Sequence, residues 1–123
     1  MKVFFKLIIL LFSFLSALNI NAQESERPLP PVLDLLTVDP QTGHSRLTWS
    51  PGGSPDVAGY IIYLFTNQEG YPVDTVYNPG ARSYTYSGSN ASFYSESYVV
   101  AAIDSAGNPS PLSNSLNTMY LEV

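Results

Sequence analysis

Turn-forming residues break this chain about every 8 to 12 positions, and that spacing restricts the possible folds more than any other feature. Ten prolines and eight glycines supply most of the breaks. Between them lie short runs rich in Val, Ile, Leu, Thr and Tyr, long enough for strands and too short for stable helices. No segment beyond the N-terminus carries a sustained 3.6-residue period with caps, so no helix is expected there. The expectation is a small all-β domain.

The first 22 residues stand apart. Lys2 and Lys6 precede an apolar run from Leu7 to Leu18, interrupted only by Ser13 and Ser16, and the polar Asn19-Ile20-Asn21-Ala22 follows. These are the three parts of a secretory signal peptide, with a run shorter than the roughly 20 apolar residues a membrane span needs. Cleavage is expected after Ala22, with Ala17 as a second site, leaving no membrane span in the mature chain. Both lysines leave with the signal. The remaining 101 residues hold Arg27, Arg46 and Arg82 against ten acids, a net charge of −7. So few cations cannot neutralise a run of phosphates, which excludes nucleic acid and anionic lipid as expected partners. Acidity of this kind keeps an exported domain soluble.

Residues 23–30 are polar and then proline-rich, an extended lead-in that reads as a tether without a core of its own. The domain proper is expected over residues 31–123, with seven strands at 32–38, 44–50, 57–66, 71–77, 81–86, 95–103 and 112–123. Asp39-Pro40-Gln41-Thr42-Gly43 closes the first, with Gly43 supplying a positive φ. Pro51 to Asp56 opens the third, Asn67 to Gly70 reads as a hairpin turn, and Asp104 to Pro109 closes the sixth. Alternation puts Leu47 and Trp49 on one face, opposite Arg46 and Thr48. It also aligns Tyr60, Ile62 and Leu64, and then Tyr98, Val100 and Ala102. A flat open sheet would leave an apolar face in water, so the strands should form two packed antiparallel sheets with Greek-key connections. Trp49, Tyr60, Ile62, Tyr98 and Val100 are the expected core.

Several of these residues are recognisable together: Pro30-Pro31, Leu47-Thr48-Trp49, the stretch from Val57 to Tyr63, and that from Ser97 to Asn108. In order and spacing they resemble a fibronectin type III domain, a seven-stranded immunoglobulin-like β-sandwich. The resemblance implies that Tyr98 is a tyrosine-corner residue, its ring in the core and its hydroxyl bonded to nearby backbone. Where that family often carries a Leu-x-Pro segment, this chain has Ser89 to Tyr94, making Phe93 or Tyr94 the candidate to fill the space. The family's Arg-Gly-Asp tripeptide is absent, so no cell-attachment site carries over. The chain also resembles the N-terminal module of longer exported bacterial surface proteins.

Chemistry finds little purchase. With no cysteine, disulfide scaffolds, Cys-ligated zinc and thiol catalysis are excluded together. His44 is the only histidine and no G-x-S-x-G elbow accompanies it. Asp56, Glu69, Asp74, Glu96 and Asp104 are the carboxylates available for glycoside hydrolysis, but they form no spaced motif. Asp104 to Asn108 lacks the alternating acids of a calcium loop. Asp74-Thr75-Val76 and Asp104-Ser105-Ala106 look like O-glycosylation acceptor triplets of some exported bacterial proteins. No catalytic residue, cofactor or metal site is expected. Twelve aromatics in the mature chain are more than its core requires, and Tyr63, Tyr71 and Tyr77 are the expected interaction residues, with Tyr94 and Tyr120 also pointing outward. The expected function is that of a non-enzymatic structural or protein-interaction module at the bacterial cell surface or periplasm. The alternative is a carbohydrate-binding or accessory module of a polysaccharide-processing system. In either case the partner is an extracellular protein or a glycan.

Overall fold

A computed structural model describes residues 26–120; the expected signal peptide, residues 1–22, lies outside them. Seven strands appear: β1 (Val32–Val38), β2 (Ser45–Ser50), β3 (Val57–Thr66), β4 (Glu69–Val76), β5 (Ser83–Tyr86), β6 (Ser97–Asp104) and β7 (Leu116–Asn117). All pairings are antiparallel. One sheet has the order β1-β2-β5 and the other β4-β3-β6-β7. The described chain contains no helix and forms the expected two-sheet sandwich.

The core lies where the inward faces meet. Leu33, Leu47 and Trp49 from the smaller sheet pack against Tyr60, Ile62, Tyr98, Val100 and Ala102 from the larger one, all at 2% exposure or less. Trp49 and Tyr60 make the central contact, with ring centroids 5.3 Å apart at a tilt of 51°. A bulge in β1 sets the facing of that strand. Leu33 pairs with Trp49 and Leu35 with Thr48, which leaves Asp34 as the extra residue. The side-chain phase therefore shifts, and Leu36 packs on the core while Leu35 stays 54% exposed.

Three boundaries differ from the sequence expectation for identifiable reasons. The hairpin between β3 and β4 turns at Asn67 and Gln68 alone, both at positive φ (54° and 65°), with Thr66 opposite Glu69. This has the form of a two-residue I′ turn, whose twist matches its flanking strands. Gly70 belongs to β4 and lies under the Tyr63 ring, where a Cβ would stand 3.2 Å from Tyr63 Cδ1. The last strand is much shorter than residues 112–123. Pro109 and Pro111 have no N–H to give, and two serines replace part of the ladder: Ser110 Oγ accepts from Ala102 N–H and Ser113 Oγ from Val100 N–H, both at 2.8 Å. The lead-in, finally, is docked. Pro28 and Pro31 are buried, and Leu29 N–H donates to Ser54 Oγ at 2.7 Å.

Two stability outcomes follow. Trp49→Ala removes the largest core ring and should cost about 3 to 5 kcal/mol, enough to unfold a marginal domain in a denaturant titration. Gln68→Gly relieves a left-handed non-glycine residue and should raise the midpoint by an equivalent of about 0.5 to 1 kcal/mol with an unchanged denaturant slope.

Candidate functional site

The tyrosines expected to interact fall in separate places. Tyr63 lies opposite Val99 on the outer face of the larger sheet, half-buried against Gly70 beside Leu112, and burial pushes its hydroxyl pKa up. Tyr71 is 50% exposed on the edge strand β4, and its hydroxyl donates to Glu69 at 3.2 Å. Tyr77 is 79% exposed just past the other end of that strand. Six residues of extended chain put about 20 Å between Tyr71 and Tyr77. These three do not make one patch.

The structure instead gathers large exposed side chains at the end of the sandwich where the β5–β6 loop meets the residues after β7. Phe93 and Tyr94 are 65% and 66% exposed, and Met119 and Tyr120 are 77% and 44% exposed. Neither Phe93 nor Tyr94 fills the space before the corner. The short side chain of Ala91, 4% exposed, turns inward there, held by its N–H bond to Gly43 O at 3.2 Å. Phe93 and Tyr94 both direct their N–H groups to Asn90 O, which closes a tight turn and leaves their rings outside. Tyr120 N–H donates to Ser95 Oγ at 3.2 Å, joining the C-terminal residues to this loop. The sequence marks Tyr94 and Tyr120 as outward but gives no signal that the residues after β7 are bonded to the loop that carries Phe93 and Tyr94.

Glu96 anchors the loop from below. Its Oε1 accepts from Ser89 Oγ, from the Tyr98 hydroxyl at 2.9 Å and from Ser45 Oγ at 3.2 Å. Its Oε2 accepts from Asn90 N–H at 3.0 Å. Ser45 and Ser89 share a further bond at 2.9 Å. Burial pulls the Glu96 carboxyl upward, but bonds from Ser89, Asn90, Tyr98 and Ser45 outweigh it and hold the group below the usual carboxylate range. Burial, with the adjacent carboxylate, pushes the Tyr98 hydroxyl up to about 12. The corner therefore differs from the one the resemblance implied, because the Tyr98 hydroxyl bonds to a carboxylate two residues away rather than to backbone. Gly43, at φ 74°, completes the anchor: any Cβ there would meet Ser92 Oγ.

The other candidate carboxylates are each held by their own hydrogen-bond donors. Asp56 accepts from Ser105 Oγ at 2.9 Å. Asp74 accepts from the Tyr84 hydroxyl and then from Thr75 N–H, and both lower its pKa. Asp104 closes its turn by accepting the Asn108 N–H at 2.7 Å, the chief cause of its lowered pKa. A shallow cleft of about 200 Å³ beside the lead-in is lined by Glu26, Arg27, Pro28, Ser54, Asp56 and Asp104 among others. That is below the usual volume of a ligand pocket. Among the described residues, no three or more of His, Cys, Asp and Glu converge as a metal ion would require.

No family model matches this sequence, and neither does any curated protein. Solved structures do match. An Fn3-like protein from Clostridium thermocellum aligns at 22% identity with a TM-score of 0.61, over 80% of this chain and 98% of that one. A β-1,2-glucanase from Parabacteroides distasonis aligns at 26% identity with a TM-score of 0.60, over 80% of this chain and 14% of its own. A pectate lyase from Erwinia chrysanthemi aligns at 17% identity with a TM-score of 0.58, over 72% and 27%. The chain thus spans nearly all of the first relative and a small part of the two enzymes.

Glu96→Gln tests the anchor. The amide keeps one acceptor and turns a donor toward its former donors, so the variant should lose about 1 to 2 kcal/mol at pH 7. The native Glu96 pKa lies below the unfolded value of about 4.3, so its stabilisation is present above that pH and lost as pH falls through the native pKa. Unfolding titrations from pH 7 to pH 2 should therefore show a flatter acid limb for Glu96→Gln, with the remaining slope from Asp74 and Asp104.

Proposed function

We propose, proceeding from the fibronectin type III-like fold of this chain, that it is a non-enzymatic module exported to the bacterial cell surface or periplasm, where it acts as a structural or protein-interaction unit. The observation that carries this reading is the use of the carboxylates. Asp56, Glu69, Asp74, Glu96 and Asp104 each accept a hydrogen bond from a neighbouring side chain or backbone group, and the two that share a space, Asp56 and Asp104, border only the cleft of about 200 Å³, too small to hold a sugar chain. An acid and base working on one substrate bond need two such groups facing a shared space. Export is supported by Lys2, Lys6, the apolar run to Leu18 and Ala22. No helix of the described residues is long and apolar enough to cross a membrane.

The second reading, an accessory module of a polysaccharide-processing system, is favoured by a specific observation. Sandwiches like this one occur as a minor part of a β-1,2-glucanase and of a pectate lyase, with the rest of each chain outside the match. In both readings the module contributes contacts and no chemistry.

One preparation tests both parts of the proposal. Protein recovered from the periplasm or medium of an expressing bacterium should begin at Gln23 by intact mass. It should release no reducing ends from β-glucans and no unsaturated products from polygalacturonate above a blank. Turnover that disappears in Asp56→Asn or Asp104→Asn would overturn the non-enzymatic reading, and retention of residues 1–22 in the cytoplasm would overturn export.

A further inference from the structure

The geometry points to the Phe93–Tyr94–Tyr120 end of the sandwich as a binding surface for a neutral saccharide chain, an inference that rests on the accessory-module reading above. Three aromatic rings and the Met119 thioether stand exposed there, on residues joined by the Tyr120–Ser95 bond. Exposed aromatic faces pack on the C–H faces of pyranose rings, and hydroxyl and amide groups bond the sugar hydroxyls. Both kinds of group are present: the loop from Ser87 to Ser95 reads Ser-Gly-Ser-Asn-Ala-Ser-Phe-Tyr-Ser.

Charge decides between classes of partner. No residue from Ser87 to Ser95, nor from Asn117 to Tyr120, is charged, and the adjoining Glu96 has both oxygens turned to internal donors. These two segments offer no charge of their own to an acidic or basic partner. Polyanionic sugars are further opposed by the net charge of the mature chain. A neutral saccharide meets neither obstacle.

Order strengthens the assignment. Glu96, the Ala91–Gly43 bond and the Phe93 and Tyr94 N–H bonds to Asn90 O hold the loop backbone before any ligand arrives, so less of it has to be ordered on binding. The surface is an end of the sandwich and not a pocket, so the contact it offers is a platform.

The test is an amide-resonance titration of the purified protein. The probes are hexasaccharides of β-1,2-, β-1,3- and β-1,4-linked glucose and of β-1,4-linked mannose, with oligogalacturonate as the anionic control. At least one neutral probe should shift resonances of residues 92–96 and 118–120, and oligogalacturonate should not. Phe93→Ala and Tyr94→Ala, both at exposed positions and checked for unchanged melting, should each weaken binding about five- to tenfold. Tyr71→Ala and Tyr77→Ala should leave it unchanged. Binding that depends on Tyr71 or Tyr77 instead would keep the accessory-module reading and remove this site. No response to any neutral probe would overturn the inference, as would a protein partner found on Phe93 and Tyr94 in the absence of any saccharide response.

Discussion

Trp49 on Tyr60 is the contact through which the two sheets become one body. Each sheet by itself has an apolar face that water would disfavour, and the tilted pair at 5.3 Å fills the gap between them with two of the largest side chains in the molecule. The contact also fixes its surroundings. Arg82 donates to the Tyr60 hydroxyl at 3.2 Å and places its guanidinium 6.0 Å from that ring, while the Arg82 carbonyl accepts the Trp49 N–H at 2.9 Å. One arginine beside β5 thus ties the Tyr60 ring and the Trp49 backbone to the approach of that strand. The pair is not fully satisfied, since Trp49 Nε1 is buried without an acceptor among the described residues. Hydrophobic packing carries this site at the expense of a hydrogen bond.

Open sheets leave strand edges exposed, and here side chains close them. Asn114 uses its amide as a strand would, accepting from Leu33 N–H at 2.8 Å and donating to Leu33 O at 2.9 Å, so the edge of β1 is bonded across the sandwich. Ser110 and Ser113 do the same along β6, each accepting a β6 N–H with its hydroxyl and donating its own backbone N–H to the carbonyl of the same residue. Tyr84 of β5 reaches Asp74 of β4 and closes the opposite gap. Such edges give another chain fewer free backbone groups to pair with.

These devices explain what could be read in the sequence and what could not. Alternation in β2 and β3 is legible because burial on one face imposes a period of two on neighbouring residues, and the sandwich follows from repeating it. The corner carboxylate is hidden in the sequence because only the fold brings Ser45, 51 residues away, and the turn residue Ser89 onto it beside Tyr98, and a lone Glu before a strand looks like a solvated residue. Gly70 read as a turn glycine because composition cannot separate a turn from a glycine kept small by the Tyr63 ring above it. The end of the fold was overestimated because apolar residues after Leu112 suggest a strand, while the hydroxyls of Ser110 and Ser113 do the pairing.

The same reasoning bears on where specificity can reside. Outer-face Val99 and Ala101 are 1% and 0% exposed although they are outside the intersheet core, so that face is already covered. Tyr63, opposite Val99 on this face, already packs on Gly70 beside Leu112, so a ligand here would have to displace existing packing or settle for what remains. At the β5–β6 end the packing stops one layer lower, at Ala91 and Ser89, and Phe93 and Tyr94 lie above it. A side chain that already covers a neighbour has less apolar area to offer a partner than one that covers nothing. By that criterion the end of the sandwich, rather than the broader sheet face, has the larger unused contact area per residue.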